Sequence, residues 1–200
     1  MCTTKGVTIR TNGAGTWFRH NCGRRLLQRP GGAVSEPSDI YSESDFDGLS
    51  WHDCRLWGFQ LLTGDPSEDD WRAELALDID FITAWKCGTD KHITFEIAPA
   101  SLVFRNVSAL KIHLDWTERT ISWGQDVSID ALERTRVQDK GDEPYYSWRF
   151  RLHEPPGEIV FRAAGFTQTL LAAPVESTSC TLSLRQRSLM VLRAERKSPR

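Results

Sequence analysis

The stretch Leu75-Ala76-Leu77-Asp78-Ile79-Asp80-Phe81 decides the fold. Large apolar side chains stand at 75, 77, 79 and 81, and carboxylates stand at 78 and 80 between them. A period of two is that of an extended strand, whose successive side chains point to opposite faces, so one face is buried and the other stays wet. The same rhythm returns at Ile93 to Ile97, Leu110 to Trp116 and Tyr146 to Leu152.

Working outward, His52 to Leu62 reads as a strand with Trp57, Phe59 and Leu61 on one face. Gly64-Asp65-Pro66 turns the chain, Glu68-Asp69-Asp70 forms an acidic loop, and Ala73 to Phe81 returns as the second arm of a hairpin. Pro99 has no N–H for a ladder, so it marks a strand end or bend between Ile93–Ile97 and a further strand from Leu102 to Val107. Leu110 to Trp116 is the cleanest half-buried strand, and Asp126 to Glu133 is a shorter one. Pro155-Pro156-Gly157 joins Tyr146–Leu152 to Glu158–Ala163 as a hairpin. Gly165 to Leu171 and Thr181 to Leu184 supply the last two strands. No long helical period follows a strand, as a parallel sheet would require. The expected fold is mainly β, an antiparallel β-sandwich or strongly curved antiparallel sheet with about nine strands and little helix.

Three regions follow. Residues 1–30 carry Lys5, Arg10, Arg19, Arg24, Arg25 and Arg29 without one carboxylate, whereas 31–53 carry only acidic charges. Segregated charge and frequent glycine make poor core material, so 1–47 is expected to be disordered, with a single β domain at 48–187. Residues 188–200 are expected to be a basic, solvated tail.

The 200 residues carry a net charge of −2, which argues against bulk attraction to nucleic acid or an anionic membrane. No apolar run reaches the ~20 residues of a spanning helix, and secretion is not expected from residues that show no charged segment followed by an apolar one. Five scattered cysteines lack a Cys-x-x-Cys pair, which predicts reduced thiols and a cytoplasmic location.

Chemistry is sparse. Trp51-His52-Asp53 sets an imidazole beside a carboxylate, although neighbours in a strand point apart. Asp78 and Asp80 share a face at about 7 Å. If the two arms of the hairpin pair, His52, Asp78 and Asp80 line one surface, a partial divalent-metal site with His113 and Asp115 as completions. That arrangement defines one functional alternative, a small metal-dependent hydrolase. Cys54 lies two residues from His52, on the same face of an extended segment, as a thiol–imidazole pair would. No Gly-x-Ser-x-Gly elbow or phosphate-binding glycine loop is present, and no cofactor is expected. Trp57, Trp116 and Trp148 fall on the apolar phase of their strands and are assigned to the core. Trp71, Trp85 and Trp123 lie near strand ends and suit a surface role, the basis of a second alternative, a carbohydrate-binding sandwich.

Trp51-His52-Asp53, Leu77-Asp78-Ile79-Asp80-Phe81, Ala98-Pro99-Ala100, Leu102-Val103-Phe104, Val107-Ser108-Ala109-Leu110, Gly157-Glu158-Ile159 and Gly165-Phe166-Thr167-Gln168 together resemble an uncharacterised bacterial family of short, mostly β cytosolic proteins. The resemblance covers residues 47–187 and assigns no functional residue. The His52-Asp53 opening is also similar to immunity proteins of bacterial toxin systems. The leading expectation is a non-enzymatic interaction domain that meets a protein partner. Its candidate contacts are His52, Asp53, Asp78, Asp80 and the acidic loop Glu68, Asp69 and Asp70, which suit a basic partner.

Overall fold

The computed structural model describes residues 39–88, 92–116, 126–137 and 144–197, with side chains to residue 191. Ten strands, one α-helix and two short 3-10 helices (Glu43–Gly48 and Pro66–Glu68) occur among them: β1 (Ile40–Ser42), β2 (Arg55–Thr63), β3 (Ala73–Cys87), β4 (Ile93–Arg105), β5 (Ser108–Leu114), β6 (Val127–Val137), β7 (Tyr145–Glu154), β8 (Gly157–Ala163), β9 (Gly165–Leu170), β10 (Val175–Ser177) and α1 (Leu184–Lys197). All pairings are antiparallel, in the order β1-β9-β4-β3-β2-β6-β7-β8-β5, with β10 beside β4. The mainly β class expected from the alternation is the class observed.

The path bends at β2 and β6, which pair only through Arg55↔Ser128 and Leu56↔Val127. Beyond that corner the sheet doubles back on itself. Phe104 of β4 meets Trp148 and Phe150 of β7 and Phe161 of β8 at ring separations of 5.0, 5.8 and 4.8 Å. Leu75, Leu77, Ile79 and Phe81 are all buried on this inner side, as their period of two predicts.

Several expectations are corrected. Residues 40–48 belong to the fold: Tyr41 packs on Phe81, and Phe46 sits 5.6 Å from both Trp51 and Trp148. Apolar anchors therefore overcome the local polarity that suggested disorder to residue 47; residues 1–38 lie outside the described set. Pro99 does not interrupt β4. Leu171 N–H donates to the Pro99 carbonyl, and N and O of one strand residue share an edge, so the ring nitrogen faces the gap where β9 ends at Ala100 and β10 ends at Ile97.

A bulge between Leu56 and Gly58 breaks the Trp57–Phe59–Leu61 face. The extra residue carries Trp57 outward under Arg187, while Phe59 and Leu61 stay in register with Leu77 and Leu75. The expected half-buried strand ends at Leu114 and is an edge strand that pairs with β8: Leu110 and Leu114 pack partly buried on the core as expected, whereas Ile112 and, beyond the strand, Trp116 are 39% and 48% exposed. Trp148 is in the core as expected. Thr181–Leu184 forms no strand. The terminal strand is β10, and residues 184–197 are helical instead of a frayed tail. Cys54 is a free, buried thiol, but Cys87 is disulfide-bonded, unlike the reduced set expected. No helix among the described residues is long and apolar enough to cross a membrane.

Candidate functional site

The two carboxylates of the β3 alternation lie on the outer face of the sheet, where α1 covers them. Ser183 and Gln186 start that helix with a capping box: Gln186 N–H donates to Ser183 Oγ, and Ser183 N–H donates to Gln186 Oε1 at 2.9 Å. One residue later Arg187 points down onto the strand. Its Nη1 donates to the Ile79 carbonyl at 3.0 Å and to Asp80 Oδ1, and its Nη2 donates to Asp78 Oδ1. Leu182 N–H satisfies the other Asp80 oxygen at 3.0 Å. Asp80 is fully buried, and both of its oxygens are thereby bonded.

Trp57 lies against this network, with the Arg55 guanidinium 3.7 Å and the Arg187 guanidinium 5.5 Å from its ring. Arg55 in turn holds Asp126 at 2.8 Å. Asp78 differs from Asp80, because its side chain is 52% exposed and only one of its oxygens meets Arg187. Burial pushes the Asp78 carboxyl above the ordinary range and Asp80 pushes the same way, against the pull of Arg187. Beside it runs an open groove of about 850 Å³, bordered by Gly58, Gln60, Ala76 and Ser101 of the sheet and Leu184, Ser188 and Val191 of α1.

His52 does not join these carboxylates. The register sets Arg55 opposite Asp80 and Gly58 opposite Asp78, while His52 precedes the strand in a tight turn closed by Cys54 N–H to Trp51 O. Asp53 takes a left-handed φ of 61° there, which Asp tolerates better than most residues. That turn, not an extended segment, brings Asp53 Oδ1 to 3.7 Å from His52 Nε2, correcting the expectation that the two point apart. His52 Nδ1 lies 2.9 Å from the Asp130 carbonyl, and the ring stacks near Trp85. Arg151 bridges Asp130 and Glu133, both at 3.2 Å. The expected Cys54 pairing fails on burial: His52 is exposed, whereas Cys54 is buried, accepts from Ile82 N–H, and has its thiol pushed up by desolvation. Among the described residues no group of three or more His, Cys, Asp or Glu is placed to hold a metal ion. His113 sits in register with Glu158 on the β5 edge, and Trp123 lies outside the described residues.

The acidic loop is the tip of the β2–β3 hairpin, and its own short-range bonds fix its shape. Asp65 caps a single turn by accepting from Ser67 N–H and Oγ–H at 2.9 and 2.6 Å. Gly64 N–H reaches Arg72 O, and Glu68 and Asp70 N–H both reach Asp65 O. Asp70 holds the Arg72 side chain through both oxygens. These bonds place the Asp65 and Asp70 carboxyls below the ordinary range, each through side-chain hydrogen bonding first. Asp69 adopts a left-handed φ of 58° and accepts from Trp71 Nε1 at 3.0 Å, which holds the indole outward. Trp71 is 74% exposed, and Glu68 is exposed, its side chain with no hydrogen bond or ion pair among the described residues.

Sequence reasoning selected Asp78 and Asp80 but missed their partner Arg187, which lies 107 residues beyond Asp80. The available signal was the Ser183-x-x-Gln186 capping box, which announces a helix start. No protein-family model matches the chain, and no curated protein or solved structure matches it.

Proposed function

We propose that the protein is an interaction domain that presents the tip of its β2–β3 hairpin to a basic protein partner. The observation that carries this reading is Trp71, three-quarters exposed and braced by Asp69 at a tip with four carboxylates, Asp65, Glu68, Asp69 and Asp70, against Arg72. A rigid tryptophan supplies apolar contact area with little rotamer entropy to lose, and it also attracts a Lys or Arg over its ring face. The surrounding carboxylates would steer a basic surface toward it, so association slows as salt rises. Occlusion of a basic partner is the mode of action implied by the similarity to toxin-immunity proteins. A metal-dependent reaction has less support, because His52 is bound to the Asp130 side and Asp80 is bonded at both oxygens.

Affinity capture by the full chain, by Trp71→Ala and by Glu68→Lys/Asp69→Lys tests this reading, with His113→Ala as a surface control. A protein with a basic surface retained by wild type and control, and lost from both tip variants, is the expected result. A retained set that ignores both tip variants contradicts it.

A further inference from the structure

We propose that the groove between α1 and the outer face of β2, β3 and β4 is a binding site for a small apolar monocation. Its ligand would be an organic ammonium whose charge rests on Asp78 and whose hydrocarbon body lies along the floor. This site is separate from the hairpin tip and does not depend on the reading given to the tip.

The floor follows from register. Gly58, Asp78 and Ser101 form one row across three strands, and Gln60 and Ala76 form the next toward the hairpin. Small side chains at Gly58, Ala76 and Ser101 leave space under the helix. A Cβ added at Gly58 would meet no atom within 4 Å. Leu171, Leu184 and Val191 supply apolar walls, and about 850 Å³ lies within the span of ordinary small-molecule sites.

Charge selects the ligand. Among the residues whose side chains are described, Asp78 and Arg187 are the charged ones that border the groove, and Asp80 lies buried behind them. One guanidinium thus faces two carboxylates: its two Nη1 hydrogens go to Ile79 O and Asp80, and one Nη2 hydrogen goes to Asp78. Asp80 receives Arg187 and Leu182 N–H, so the uncompensated negative charge falls on half-exposed Asp78 at the groove wall. An anion at the groove wall meets the Asp78 carboxylate and must compete with two aspartates for the one guanidinium. A neutral molecule leaves the excess charge unpaired in a partly desolvated site. A cation with an apolar body answers both the charge and the walls.

The test titrates the full chain with 4-phenylbutylammonium and 4-phenylbutyrate, ions with the same apolar body and opposite charge, by calorimetry. The expected result is saturable one-to-one binding of the ammonium, at least about tenfold tighter than the carboxylate. Asp78→Asn should weaken the ammonium about tenfold. Gly58→Leu, which fills the floor at a position with room for a side chain, should abolish binding while the thermal unfolding transition is retained. Absence of saturable ammonium binding at millimolar concentration, equal binding of the two ions, or an affinity unchanged by either variant overturns the proposal.

Discussion

The outer face of β3 and the tip of the β2–β3 hairpin both display carboxylates, yet the fold treats them in opposite ways. On β3, Asp80 is enclosed, and its guanidinium comes from a helix 107 residues away. At the tip, Asp65 and Asp70 are held by residues two positions distant, and Glu68 is left to solvent. The first set fastens α1 to the sheet. The second shapes a local surface without tying it to anything else, which leaves that surface available to a partner.

Breaking the long-range set should have the largest effect. Arg187→Ala leaves Asp80 buried without its counter-ion, and a loss of about 3–5 kcal/mol in denaturant unfolding is expected. Replacing both partners, Arg187→Met with Asp80→Leu, should cost less than the single change, because no buried charge is then stranded. Equal losses in the single and double variants would show that packing, and not the charge pair, holds the helix. Ser183→Ala removes the cap that starts α1 and should cost about 1 kcal/mol in the same measurement.

The two sets should also separate by pH. The Asp78 carboxyl is raised above its unfolded value of 3.8, so the native state holds that proton more tightly. Its stabilising contribution is present below the unfolded value and is lost as pH rises through the folded one. Asp70 has the opposite sign: its folded value is lowered, so its contribution is present above 3.8 and is lost as pH falls through the folded value. Unfolding free energies measured across the acid range should therefore change slope in opposite senses in Asp78→Asn and Asp70→Asn. A shift of the same sense in both would remove the distinction. The smallest effect on stability belongs to Trp71→Ala, expected within about 0.5 kcal/mol of wild type because the indole is on the surface.

Much of the architecture was legible because a buried face imposes a period of two, and Leu75 to Phe81 and Tyr146 to Leu152 keep it without interruption. The failures have local causes. Trp57 obeys the period in sequence but occupies a bulge, and one extra residue reverses the faces on either side of it. Pro99 reads as a break, yet it sits at the one place on the β4 edge where no N–H is needed. The helix was hidden because its groove-facing positions, Leu184, Arg187, Ser188 and Val191, have helical spacing but set two polar residues between two apolar ones. Of the candidate site, the shared face of Asp78 and Asp80 was readable from their spacing. The choice of Arg187 over His52 was not, since it depends on which element folds across that face.

The central claim is that the β3 carboxylates are structural anchors and the tip carboxylates are not. Hydrogen exchange across α1 in Arg187→Ala and in Trp71→Ala/Glu68→Lys/Asp69→Lys tests it most directly. Loss of amide protection throughout α1 in the first variant, with wild-type protection in the second, is the predicted result. Protection of α1 that survives Arg187→Ala, or that falls equally in both variants, would contradict it.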